Sequence, residues 1–142
     1  MKISTKGRYA IRMMLDLAEH DQEGFVALKD IAARQEISKK YLEQIVPLLN
    51  KANMLLTNRG FQGGYKLAKK PEEYKIGDIL RVTEGNLSVV TCLDAPVNTC
   101  NRKDNCQTLQ MWQGLNDVIN NYLDNITLAD LCENHMDMAI LI

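Results

Sequence analysis

Cys92, Cys100 and Cys106 stand close together in the spacing C-x7-C-x5-C. Thiolates are soft donors that suit iron–sulfur clusters and zinc, and a stretch without regular structure lets three of them converge without strain. Residues 86–106 have that character: one Pro, little periodicity, and a polar run of Asn98, Thr99, Asn101, Arg102, Lys103, Asp104 and Asn105. Such a run offers no core in which the thiols could be buried as small hydrophobes. An irregular stretch of this length in a small protein is either functional or disordered. The spacing matches no zinc-finger or ferredoxin pattern, so by itself it names no metal. Cys132, in Leu131-Cys132-Glu133, reads as a buried or incidental thiol, and His20 and His135 read as surface histidines.

A second group of residues suits a polyanion. Ser38, Lys39, Lys40, Tyr41, Glu43 and Gln44 fall together. Lysines neutralise phosphates or donate to guanine, Gln pairs bidentately with adenine, and Glu accepts from cytosine N4. The alternative is that Lys39 and Lys40 form a solvated face and that Tyr41 belongs to a core; for Tyr41 the core is as good a reading as contact. Further on, Arg59 carries the charge that a narrow minor groove attracts, and Gly60, Gly63 and Gly64 either let backbone approach a groove or simply form a turn. No nucleophile–base pair, phosphate loop or pair of carboxylates occurs at useful spacing, so no enzyme is expected.

The elements that must position these groups follow from periodicity. Tyr9, Ala10, Met13, Met14 and Leu17 recur at three- and four-residue spacing, which predicts an amphipathic helix over 5–19. Leu28, Ile31 and Ala32 mark a short second helix, and Glu36-Ile37-Ser38 a turn whose Ser38 caps a third helix over 39–52. Leu42, Ile45 and Leu49 form the core-facing stripe of that third helix. Pro47 lies inside it, removes one backbone donor and crowds the Glu43 carbonyl, so a kink or break is expected there.

Two short apolar segments, Met54–Thr57 and Tyr65–Ala68, flank the glycine-rich turn and predict a β-hairpin. A helix-turn-helix followed at once by such a hairpin is a winged helix. Lys75–Thr83 predicts one more short helix. Leu109, Trp112, Leu115, Ile119 and Tyr122 or Leu123 predict a long amphipathic helix over 109–123, and Thr127–Asp130 has the form of a capping box opening a last helix. The fold class is therefore mainly α with a small β-hairpin wing. The expected division is a winged helix-turn-helix DNA-binding domain over 1–85, a cysteine-bearing sensor loop over 86–107, and a dimerisation helix with C-terminal segment over 108–142.

Charge supports this division. The 142-residue chain has a net charge of −1, but residues 1–70 carry 13 Lys/Arg against 7 Asp/Glu, net +6, and residues 71–142 carry 4 against 11, net −7. Local field, not total charge, steers a charged ligand. The first twenty residues lack the apolar stretch of a secretory signal and no run approaches membrane-spanning length, so a cytoplasmic protein with reduced thiols and no membrane partner is expected.

With these residues in place, the chain resembles the Rrf-two family of bacterial winged-helix transcriptional regulators. The matching pieces are Met1-Lys-Ile-Ser-Thr-Lys-Gly-Arg-Tyr9, Tyr41-Leu-Glu-Gln44, Arg59-Gly60 with Gly63-Gly64-Tyr65, Gly77-Asp78-Ile79 with Glu84-Gly85, and Asn125-Ile-Thr-Leu128. They run in order along nearly the whole chain. The resemblance implies a homodimer in which the helix near 108–124 crosses its partner, and two winged helices that read a near-palindromic double-stranded operator. It also places Lys2, Ser4 and Thr5 near the DNA backbone. An amphipathic helix bearing Trp112 after a completed small domain agrees with a symmetric partner.

Family members that sense through an iron–sulfur cluster hold three cysteines at this place, and here all three are present. The resemblance thus implies a [2Fe–2S] or [4Fe–4S] cluster on Cys92, Cys100 and Cys106, with zinc as the lesser alternative. A fourth ligand is not carried over: Leu109 and Arg8 occupy the positions where cluster-binding relatives have His or Asp. Asp94, Asp104, Glu43 or a small molecule remain open. Two alternatives accompany this expectation. One is a cysteine-metabolism or thiol-redox regulator that acts through a partner enzyme or a disulfide. The other is an iron–sulfur electron-transfer or carrier protein whose basic half binds an acidic partner.

Overall fold

Ala10, Met13, Met14 and Leu17 become the buried stripe of α1 (Thr5–Glu19) in the computed structural model, which describes residues 1–134. His135 and the apolar run Met138–Ile142, expected to fold back against a dimer, lie outside the described residues. Ser4 caps α1, its hydroxyl accepting from the Gly7 amide at 3.2 Å. α2 (Leu28–Gln35) and α3 (Lys39–Lys51) follow. The turn between them is set by Glu36 in the left-handed region, φ 54°, and by buried Ile37, which anchors it to the core. Ser38 caps α3 as its residue type predicts, accepting from the Tyr41 amide at 3.1 Å.

Of the kink or break expected at Pro47, there is no break: the helix runs on from Lys39 to Lys51. Leu42, Ile45, Val46 and Leu49 are buried on both sides of it, whereas Pro47 itself faces solvent. The Glu43 carbonyl that the proline leaves without a donor is therefore on the hydrated face, and packing holds the helix together across it.

β1 (Leu55–Asn58) and β2 (Gly64–Leu67) form the hairpin, with Leu55 opposite Leu67 and Asn58 opposite Gly64. Buried Leu55 and Leu67 fix its base to the core. The buried Tyr74 hydroxyl donates to the Met54 carbonyl at 2.7 Å and accepts from the Lys69 amide at 3.0 Å, clamping both legs. Val26 extends the ladder by exchanging two 2.8 Å bonds with Tyr65.

α4 (Ile76–Glu84) closes the core, and α5 (Leu109–Asp124) and α6 (Leu128–Glu133) follow the cysteine stretch. The capping box of Thr127 and Asp130 opens α6. The chain around it folds back onto the first half: the Ile76 amide donates to Ile126 O at 2.9 Å and the Leu128 amide to Tyr74 O at 2.9 Å. Ile126 and Leu128 join the same buried cluster as α1 and α4. α5 itself buries no residue. Among the described residues no helix is long and apolar enough to cross a membrane.

Candidate nucleic-acid interface and cysteine loop

The 3.6-residue period divides α3 cleanly. Leu42, Ile45, Val46 and Leu49 point into the core, and Ser38, Lys39, Lys40, Glu43 and Gln44 are exposed on the other side. Tyr41 lies between the two, half-buried, with its ring edge-on to Tyr9 at 5.2 Å and 74°. The Arg12 guanidinium stands 5.2 Å from the centre of the Tyr9 ring, so Tyr41 is positioned by an aromatic and cationic stack. Lys2 is exposed, Thr5 accepts from Arg8 at 3.0 Å, and the Ser4 amide donates to Glu84 Oε1 at 3.0 Å. The Ser4 hydroxyl also donates to that carboxylate, so both Ser4 and Ser38 use their hydroxyls inside the protein.

Between α3 and the hairpin lies a cleft of about 720 Å³. Lys29, Lys39 and Glu43 line one side, and Arg59, Gly60 and Phe61 the other. Its charge is three cations to one carboxylate. The hairpin tip is stapled by two bonds: Gly60 N–H donates to Asn58 Oδ1 at 3.1 Å, and Gly63 N–H to Gly60 O at 2.8 Å. A side chain at Gly64 would run into the Val26 carbonyl, and one at Gly63 into the Asn58 carbonyl. Internal close approach thus requires glycine at both positions. Phe61, which the sequence reading passed over, is fully exposed at the tip.

A buried carboxylate ties α2 to α1. Asp16 is 1% exposed. It accepts from Arg34 Nη2 at 2.7 Å, Arg34 Nε at 3.0 Å and Gln35 Nε2 at 3.0 Å. Arg12 in turn donates to the Gln35 side chain at 3.3 Å and to its carbonyl. These bonds pin the last turn of α2 to α1 immediately before the turn that launches α3. Burial alone would raise the Asp16 pKa, but the hydrogen bonds from Arg34 and Gln35 and the Arg34 charge hold it below the ordinary carboxylate value. His20, expected as a plain surface residue, is a half-buried C-cap whose Nδ1 lies 2.8 Å from the Asp16 carbonyl. The only sequence hint to Asp16 was an acid set among the apolar positions of α1.

The cysteine loop has little regular structure besides one 3-10 turn at Thr91–Leu93. Cys100 is exposed and Cys92 and Cys106 are half-exposed, all as free thiols. Thr108 is hydrogen-bonded to Cys106 Sγ at 3.4 Å and holds that thiol below its ordinary pKa. Three soft donors on an irregular loop, one of them with its pKa lowered, fit a cluster or zinc in their chemistry. Among the described residues, however, no three His, Cys, Asp or Glu side chains are gathered closely enough to hold a metal. Of the open fourth ligands, Asp94 accepts from Ser88 Oγ through its carboxylate, and its carbonyl accepts from Asn86.

The loop is tied to α5, and α5 to the core. The Val89 amide donates to Asn116 Oδ1 at 3.2 Å. Arg81 on α4 donates to Asp124 at 2.8 and 3.0 Å and to Asn120 at 2.8 Å. Gly77 lets α4 pass close to Asp124, whose carboxylate a Cβ there would strike. Beyond that anchorage, Met111, Leu115 and Val118 are exposed along α5 at 56%, 43% and 65%.

Residues 3–134 match the sequence pattern of the Rrf2 family, described as an iron-dependent transcriptional regulator. The HTH-type transcriptional regulator IscR of Pectobacterium atrosepticum is 40% identical over 134 residues, covering 94% of this chain and 80% of the relative. The solved structure of T. potens IscR superposes with a TM-score of 0.75 at 40% identity, covering 97% of this chain and 90% of that one. The structure of CymR, the global cysteine regulator of B. subtilis, does so with 0.78 at 36%, covering 96% and 99%.

Proposed function

The chain belongs to the Rrf2 family of DNA-binding transcriptional regulators, and from that premise we propose that it works in the cytoplasm as a homodimer on a near-palindromic operator, reporting iron–sulfur status through Cys92, Cys100 and Cys106. The observation that carries the DNA half is the cationic cleft between the exposed face of α3 and the wing. Lys39, Lys40, Glu43 and Gln44 read base edges in the major groove, and Arg59 with Gly60, Gly63 and Gly64 enters the adjacent minor groove. Ser38 and Tyr41 belong to the same N-terminal part of α3 that enters the groove, and Lys2, Ser4 and Thr5 lie near the DNA backbone. The exposed apolar row Met111, Leu115 and Val118 supports a second copy packed along α5.

A [2Fe–2S] or [4Fe–4S] cluster, when bound, supplies a redox-sensitive charged centre on the loop. Asn116 ties residues 86–94 to α5, and Arg81 ties α5 to the winged helix, so a change of loop conformation alters how the two reading heads are spaced. Only an effector with unequal affinity for the two spacings shifts DNA binding. Anaerobic purification with iron and sulfide analysis, followed by duplex binding across salt concentrations, tests both halves. Bound iron and specific binding that weakens steeply with salt are expected. Colourless protein that cannot be reconstituted would overturn the cluster. Absence of duplex binding in holo and apo forms would favour the electron-carrier alternative.

The likeness to CymR favours a second reading in which the same thiols oxidise, bind zinc or respond to a cysteine-metabolism enzyme. Retention of an oxidant response by iron-free protein distinguishes it.

A further inference from the structure

We propose that Phe61 is an apolar wedge that enters the minor groove of the bound duplex and selects a flexible base step there. This deepens the DNA-binding reading above and rests on it. Isolated exposed apolar residues are ordinary on protein surfaces. Three features set Phe61 apart. Its ring is fully exposed, with no part of its apolar surface covered by the protein. It stands at the tip of the hairpin, whose turn is held by the Asn58–Gly60 and Gly60–Gly63 bonds, so the backbone that carries it is in place before binding. It lines the same cleft as Arg59, Lys29, Lys39 and Glu43, a set of net positive charge that complements phosphate and not another apolar protein surface.

A tip of this kind suits a groove about 6 Å wide. Arg59 is drawn to the phosphates that border the groove, and the adjacent ring then meets sugars and base edges. Apolar side chains so placed partly unstack one base step and bend the duplex toward the major groove. Pyrimidine–purine steps deform most easily, so Phe61 confers a preference for such a step at a position that α3 does not touch. Removing the ring takes away contact without removing charge. Affinity should therefore fall while its dependence on salt stays the same, unlike the loss of Arg59, which also flattens the salt dependence.

The test selects duplexes from a random-sequence pool with the full chain, before and after iron and sulfide reconstitution, and then compares wild type, Phe61→Ala and Phe61→Leu on the enriched duplex. Expected are a pyrimidine–purine step beside the major-groove site, an affinity about tenfold lower for Phe61→Ala at every salt concentration, partial recovery by Phe61→Leu, and increased fluorescence of 2-aminopurine at that step only with the ring present. Because the side chain packs against nothing, the variants should keep the wild-type melting temperature. An enriched duplex held equally well by Phe61→Ala overturns the role of Phe61 while leaving the DNA-binding reading intact. A changed sedimentation state of Phe61→Ala with unchanged duplex affinity overturns it in favour of a contact between copies. Failure of the wild type to enrich any duplex overturns both.

Discussion

The winged helix and the segment from the cysteine loop through α5 face opposite physical situations. In the winged helix, apolar stripes from α1 to α4 and from residues 126–128 close one core. Asp16 has its partners, and among the described residues no buried side-chain nitrogen or oxygen lacks a hydrogen bond. In α5, no residue is buried and an apolar row faces water. The cysteine loop supplies three free thiols that are not gathered. The first region is complete within a single chain. The second has the composition of a region finished by something added to it, which we propose to be a second copy and a cluster. The two are joined by Arg81 with Asp124 and Asn120, and by buried Leu87 and half-buried Tyr122 and Leu123, which pack into or against the core.

The largest effect that tests this contrast is on metal content. Replacing Cys92, Cys100 and Cys106 together by Ser should abolish bound iron while leaving the unfolding midpoint of the iron-free protein unchanged, since none of the three is buried; iron analysis and urea titration check it. Next, Leu115→Glu should place a charge in the apolar row. Sedimentation should then show a monomer, and operator affinity should fall by about a hundredfold as the bivalent contact is lost. A dimer that survives Leu115→Glu would mean that α5 is not the interface.

Within the completed region, Asp16→Ala should destabilise the fold by about 2–4 kcal/mol, less than a fully buried pair because Arg34 is 36% exposed. Since the folded pKa of Asp16 is lowered, its contribution is present above the ordinary carboxylate range and is lost as pH falls through the lowered value. Asp16→Asn should accordingly flatten the acid limb of the stability curve, seen by denaturant titration at several pH values. The smallest effect is at the wing tip: Arg59→Ala should reduce the slope of log affinity against log salt by about 1, the signature of one lost phosphate contact.

How far sequence alone reached depended on whether a feature was local. Helix periods, the caps at Ser38 and Thr127 and the hairpin glycines all act within a turn or two of chain, and the structure has these elements within a residue or so of expectation. That α3 continues through Pro47 depends on which side faces solvent, and that is set by the core on the other side of α3. Asp16 escaped notice because an acid in an apolar stripe acquires meaning only when Arg34 and Gln35 arrive from another helix. The requirement for glycine at Gly64 likewise comes from Val26, distant in sequence. Phe61 was unremarked because exposure at a hairpin tip cannot be seen in a residue type.

By itself, the sequence determined the order of elements, the separation of +6 and −7 halves, and the resemblance to a regulator family, because periodicity, charge and motif order need no knowledge of contacts. Only the tertiary structure decided that the C-terminal segment shares the core of the winged helix, that a buried Asp16 ties α2 to α1, and that the row Met111, Leu115 and Val118 of α5 remains without cover. Those facts depend on which surfaces meet, and burial and charge pairing between distant residues exist only once the chain has closed upon itself.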